Sequence, residues 1–224
     1  MTGRDVLAAQ VVVIAKAPVP GRVKTRLTPP FTPVEAAALA EAALADTLAA
    51  VAGTPVTRRV LALDGEPGPW LRPGFDVIPQ RGDGLDERIA FALQDAWSAA
   101  PIPVVLIGMD TPQVTSGLLA AAAASMVTGD VDAAFGFAND GGFWLLGLRE
   151  VDPALVFGVP MSRLDTGACQ LARLRRAGLR VAQMACLTDV DTAEDASRIA
   201  AIRPDSLFSA RFRALRSAAM AALT

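Results

Sequence analysis

Histidine is absent from all 224 residues, and so is tyrosine. Without imidazole, Ser-His-Asp and Cys-His catalysis are excluded, together with every metal site that needs histidine. Without a phenol as well, general acid–base work falls to carboxylates, lysine or the substrate itself. Cysteine occurs twice, at Cys169 and Cys186. Two thiols cannot complete a four-ligand zinc site, and nothing in the sequence marks a secreted, disulfide-bonded protein. They are expected to be buried and reduced, in a cytoplasmic protein. Excess charge is missing too: 21 basic against 23 acidic residues leave a net −2, which speaks against a nucleic-acid partner. Long apolar runs are also lacking. Gly117 to Val127 is broken at Ser125 and is too short to span a bilayer. Val6 to Ala15 is interrupted by Gln10 and closed by Lys16, with no small-residue cleavage site, so neither a membrane partner nor a signal peptide is expected.

What is present reads as a globular α/β protein. The chain is 52% hydrophobic and 20% charged, as a single domain over residues 1–224 requires. Gln10 to Ala15 is a β-branched apolar run, expected as a fully buried strand. A Pro/Gly-rich loop and an Ala/Leu helix from about Val34 to Val51 follow. Strands are then expected at Val56 to Leu63, Phe75 to Pro79 and Val104 to Ile107. Leu85, Ile89, Ala92, Leu93, Ala96 and Trp97 recur at helical spacing between the last two. Beyond an Ala-rich helix, Ala133 to Ala138 and Phe143 to Leu148 flank an Asn-Asp-Gly-Gly turn and predict a late antiparallel element. A helix over Thr166 to Ala177 and a strand over Arg180 to Ala185 come next, then helices from near Thr192 and Pro204. The whole predicts a doubly wound, mostly parallel sheet with helices on both faces and a C-terminal helical segment at about 204–224. In that last segment Phe208, Phe212, Leu215 and Ala219 form an apolar stripe. Core packing is its ordinary use, and a homodimer seam is the alternative.

In such sheets ligands bind outside the carboxyl ends of the strands, so chemistry is sought directly after each strand. The first loop holds both lysines of the chain, and four of its 21 basic residues, Lys16, Arg22, Lys24 and Arg26, fall within eleven positions of it. Cations alternating through a loop stiffened by Pro and Gly21 suit a polyphosphate, with backbone N–H groups approaching at the glycine. The other reading is a solvated loop. Asp110 follows the central strand, where a carboxylate faces the crevice and suits Mg²⁺ or Mn²⁺, or else caps the next helix. Asp191 lies in a second acidic segment after a later strand. It is placed to share a cation with Asp110, or with Glu194 to form a capping box, and both hold if Asp189 or Asp191 ligates while its neighbour caps. Asp140, Gly141 and Gly142 are either hairpin chemistry alone or a substrate contact with close backbone approach, and Gln80, closing the third strand, is a candidate clamp.

Four ordered segments carry a family resemblance: V-V-V-I-A-K-A-P-V-P-G-R-V-K-T-R-L, G-M-D-T-P, D-G-G-F-W-L-L-G-L and D-V-D-T-A-E-D. Together, from about Val11 to Asp195, they resemble a bacterial family of glycosyltransferase-A-fold transferases, the nucleotide-diphospho-sugar transferase superfamily. The K-T-R-L segment is similar to the guanylyltransferases of deazaflavin-cofactor biosynthesis. D-V-D-T-A-E-D is similar to sugar-activating cytidylyltransferases, in which the Asp matching Asp191 holds Mg²⁺. The resemblance implies a site for a nucleoside triphosphate or a nucleotide-sugar, and a small-molecule acceptor in the region of Val159 to Thr166.

The expected activity is metal-dependent transfer from a nucleotide-sugar. Lys16, Gly21, Arg22, Lys24 and Arg26 would hold the diphosphate, Asp110 and Asp191 the cation. Lys24, Asp110 and Asp140 are the catalytic candidates, Asp140 as base or acceptor-positioning group, and Gln80, Asp140, Gly141 and Gly142 are the substrate contacts. The alternative is nucleotidyl transfer to a phosphorylated acceptor with release of pyrophosphate. It gains from Gly108, which stands where many glycosyltransferases of this fold carry the first Asp of Asp-x-Asp.

Overall fold

The structure, a computed structural model, describes residues 5–221, and side-chain exposure as far as residue 218. Its seven strands are β1 (Leu7–Lys16), β2 (Val56–Asp64), β3 (Asp76–Pro79), β4 (Val104–Gly108), β5 (Ala133–Phe137), β6 (Phe143–Leu148) and β7 (Val181–Gln183). They form one sheet in the order β3-β2-β1-β4-β6-β5-β7. Every pairing is parallel except those of β6, which runs antiparallel to both β4 and β5. The helices are α1 (Pro33–Ala52), α2 (Leu85–Ala99), α3 (Ser116–Val127), α4 (Thr166–Arg176), α5 (Ala193–Ile202) and α6 (Leu207–Ala221). The doubly wound sheet and its late antiparallel strand are as the sequence predicts. No helix among the described residues is long and apolar enough to cross a membrane.

Alternation along the central strands builds two cores at once. Val11 and Val13 point to the α1/α3 face with Leu61, Val105 and Ile107. Val12 points to the α2/α4 face with Val60, Val104 and Leu106. Strands buried on both faces need apolar residues at every position, which is why these runs are continuous rather than alternating. A third cluster joins α1 to α5 and α6 through Leu39, Ile199, Phe208 and Phe212. Phe208 and Phe212 are therefore core, and the homodimer seam loses both; Ala219 lies outside the residues whose side chains are described.

One expectation is corrected here. The cysteines are free, but Cys169 is half-buried and Cys186 exposed. Cys186 falls beyond the short edge strand β7, where no further strand covers it.

Candidate functional site

The carboxyl ends of β1 and β4 open into a crevice of about 1180 Å³, walled by the loops after these strands, the hairpin turn before β6 and the segment leading into α4. Lys16, Arg22, Lys24, Arg26, Gln80, Asp110, Asp140, Gly142 and Asp191 all line it. Gly21 and Gly141 do not. Gly21 has φ +75 with open space around it, and serves the turn of the first loop.

Residues far apart in the chain meet in the middle of this crevice. The Lys24 Nζ lies 2.9 Å from Asp110 Oδ1 and 3.3 Å from Asp191 Oδ1, with its side chain only 8% exposed. Arg26 Nη1 reaches Asp191 Oδ2 at 3.2 Å. Local structure accounts for the convergence. Lys24 adopts φ 48, a left-handed conformation unusual for a side chain of its size, and precedes a single 3-10 turn, Thr25–Leu27. Leu27 and Val190 are both sunk in the third core cluster, pinning the two loops from below. The backbone N–H of Val190 donates to the carbonyl of Asp110 at 2.9 Å, tying the second acidic loop to the end of β4.

The sequence left Asp191 with two uses, and the structure removes one. The capping box of α5 is Thr192 with Asp195, each side chain accepting from the other's backbone N–H. Asp191 is thus not the cap, and Glu194 takes no part in it. Residue 192 caps because it is the last with extended backbone before the helix, and its hydroxyl reaches the N–H three residues on.

Electrostatically the site is acid-rich around one buried ammonium. Burial alone pushes the Lys24 ammonium down, but Asp110 and Asp191 together outweigh it, so its pKa is raised. Asp189, just behind, is pushed up to about 7 by burial first and then by the charges of Asp110 and Asp140, against the pull of Lys24. Sequence reading offered Asp189 only as a stand-in ligand for Asp191, because its burial is a tertiary property. Thr111 was missed. It is 1% exposed, lines the crevice, and its hydroxyl has no hydrogen-bond partner among the described residues.

The remaining candidates have mixed roles. Gln80 Nε2 donates to the carbonyls of Ala15 at 2.7 Å and Ala62 at 2.9 Å, so it braces the ends of β1 and β2 as well as lining the crevice. Asp140 Oδ1 accepts from the Gly142 N–H at 2.8 Å, shaping the turn while remaining exposed. Gly141 is required by close packing: a Cβ there would lie 2.0 Å from the Leu164 carbonyl oxygen, and φ is +91.

The resemblance implies a divalent cation, and the donor chemistry of the crevice suits one. Asp110 and Asp191 are hard oxygen ligands already drawn to one cationic centre, the Lys24 ammonium. Among the described residues, no group of three or more acidic, Cys or His side chains could hold a metal ion. Two protein carboxylates with phosphate oxygens and water are the usual complement for a nucleotide-bound Mg²⁺.

Fold and crevice together define a protein with the nucleotide-diphospho-sugar transferase fold. The chain belongs to a bacterial family, described as an uncharacterized protein conserved in bacteria (DUF2064), whose model matches residues 37–163. Among solved structures it is similar to a protein of Desulfovibrio desulfuricans G20 provisionally named a nucleotide-diphospho-sugar transferase. Identity is 29% and TM-score 0.83, over 93% of this chain and 94% of the other. It shares the fold of CMP:2-keto-3-deoxy-manno-octonic acid synthetase, solved with CTP, at 14% identity and TM-score 0.54, covering 88% and 98% of the two chains. The fold recurs in Rv0371c of Mycobacterium tuberculosis H37Rv, solved with manganese, at 20% identity and TM-score 0.52, covering 86% and 97%. No curated protein matches the sequence.

Proposed function

We propose that this protein is a transferase acting on a nucleotide-sugar, with Lys16 and Arg22 facing its phosphates and Asp110 with Asp191 holding a divalent cation. The observation that carries the reading is the meeting of two carboxylates from separate strand ends on one positive centre, beside a cationic loop. Likeness over nearly the whole length to the Desulfovibrio protein supports the donor class.

Lys16 and Arg22 make no ion pair among the described residues, which leaves their charge for a ligand. Lys24 faces the acidic pair and the crevice together, so it can exchange carboxylate for phosphate once another cation neutralises the acids. A bound Mg²⁺ or Mn²⁺ would supply charge neutralisation of the departing diphosphate. Asp140 is exposed, lines the crevice and is a carboxylate available to orient or deprotonate an acceptor.

Nucleotidyl transfer is the second reading. Gly108, at the end of β4, leaves Asp110 to find its partner in a distant loop, an arrangement that serves a triphosphate equally well. A thermal-shift screen with Mn²⁺ separates the two. UDP- or GDP-sugars should raise the melting temperature by several degrees, whereas a response to CTP or GTP alone, with pyrophosphate released on adding acceptor phosphates, would replace the glycosyl reading. Silence toward every nucleotide would sink both.

A further inference from the structure

The charges of the two helices joined in the third core cluster are segregated by sign. α1 contains Glu35, Glu41 and Asp46 with no Lys or Arg, and α6 contains Arg211, Arg213 and Arg216 with no Asp or Glu. The helices lie side by side and run antiparallel. Asp46, late in α1, accepts from the backbone N–H groups of Leu207 and Phe208 at the start of α6, at 3.1 and 2.8 Å. Further along α6, Phe212 meets Phe31, just before α1, edge to face with ring centroids 5.9 Å apart. Several of these charges are used inside the chain. Asp46 caps α6, Glu35 closes the capping box of α1 with Thr32, and Arg213 donates to the Pro204 carbonyl at 2.9 Å. Glu41 and Arg211 are exposed, and neither makes an ion pair among the described residues.

These two residues line one groove of about 340 Å³ on the outer face of the helix pair, Glu41 from α1 and Arg211 from α6. The rest of the lining is small: Ala38, Ala42 and Ala45 on one side, Ala210 and Ala214 on the other. Leu207, at the Asp46 end, is the one bulky apolar side chain in it and is 52% exposed. Alanines let a second helix approach closely, and a half-exposed leucine beside them is a knob without a hole. The groove therefore offers an acid, a base, a knob and a shallow apolar trough on a single surface.

We propose that this face binds a second copy of the chain, in a two-fold dimer whose axis runs along the groove. That rotation lays α1 of one copy over α6 of the other at the same level. Glu41 of each copy then meets Arg211 of the other, and Leu207 of each packs on Ala42 and Ala45 of the other. The acidic helix faces the basic helix twice, so the surface is its own complement. Phe208 and Phe212 keep their places in the core, and the seam uses the outer side of α6 instead. Its size sets its strength. The 15 residues of α6 make a helix ~22 Å long, and two helices side by side are ~20 Å across. That footprint falls short of the ~800 Å² a partner gives to a standard interface, so a weak dimer with Kd of about 10–100 μM is expected.

Sedimentation velocity of the full chain from about 1 to 300 μM tests this, and the average mass should climb from monomer toward dimer across that range. Leu207→Gln should weaken association about tenfold, because two leucines per dimer lose their cover. Glu41→Arg and Arg211→Glu each set like charges opposite one another twice, and each should weaken it about tenfold or more. The double variant, Glu41→Arg with Arg211→Glu, exchanges the two signs and should return the constant to within about threefold of wild type. Since these side chains are exposed, melting temperatures of the dilute variants should stay within about 2 °C of wild type. A chain that is monomeric at the top of the range overturns the proposal and leaves the groove to a different protein. A dimer indifferent to all three single substitutions overturns it as well, because the copies then meet elsewhere. A double variant no better than the singles overturns the pairing of Glu41 with Arg211, and with it the two-fold arrangement.

Discussion

Replacing Lys24 by Met removes the only ammonium in the acidic centre and keeps the length of the side chain. Asp110 and Asp191 then face each other with Asp189 behind them, and Arg26, 76% exposed, remains the one cation paired with the set among the described residues. Breaking a fully buried ion pair costs ~3–5 kcal/mol because a bare charge is left inside. Here the carboxylates are 40% and 32% exposed, so water screens part of the repulsion, and a loss of about 2 kcal/mol is expected. For a domain of this size that corresponds to a fall in melting temperature of roughly 4–8 °C. Mn²⁺ should then rescue the variant more than it stabilises the wild type, since in the variant no ammonium has to yield its place. If the whole 2 kcal/mol is recovered, Mn²⁺ binds the variant up to about 30-fold more tightly. The assay is a Mn²⁺ titration followed by thermal denaturation and by the electron-paramagnetic resonance signal of free Mn²⁺. An unchanged melting temperature together with an unchanged Mn²⁺ midpoint would refute the idea that the Lys24 ammonium occupies the cation position.

Three further outcomes are expected. Asp110→Asn should weaken Mn²⁺ binding at least tenfold while the chain stays folded, as circular dichroism and the Mn²⁺ titration will show, because one hard anionic ligand of two is lost. Gly141→Ala should destabilise by about 3 kcal/mol or more, read from urea unfolding, because the new Cβ meets the Leu164 carbonyl and φ +91 disfavours any side chain. At Asp132 the Arg180 guanidinium and its backbone N–H, helped by Arg149, hold the carboxyl well below its usual range. A depressed carboxylate adds stability above its unfolded value, near 3.8, and loses it as pH falls through the lower folded value. The melting-temperature gap between wild type and Asp132→Asn should accordingly be constant from pH 7 to about 5 and close below pH 4.

Much of the architecture was legible in the sequence because buried parallel strands force an unbroken apolar run. Val11, Val12 and Val13 could only be such a strand, and Asn-Asp-Gly-Gly between two apolar segments could only be a tight turn. The rule that ligands gather at carboxyl ends of strands then pointed to Lys16 through Arg26, Asp110 and Asp191, and most of these line one crevice. The sequence did not reveal which of two chemically equal neighbours does what. Asp191 and Thr192 are both good helix caps by type, and the choice fell to backbone conformation at residue 192. Cys186 was misplaced for a related reason: burial at a strand end depends on whether another strand lies alongside, and β7 is the edge.

Residue types, their order and the strand rhythm thus determined by themselves the fold class, the absence of imidazole chemistry and the loops in which to look. Only tertiary structure decided that Lys24, 167 positions from Asp191, sits between two acids rather than free in a solvated loop. The reason is physical. Charge pairing acts through space over a few ångströms, and that separation was set by Leu27 and Val190 entering one core and by a backbone hydrogen bond from Val190 to Asp110.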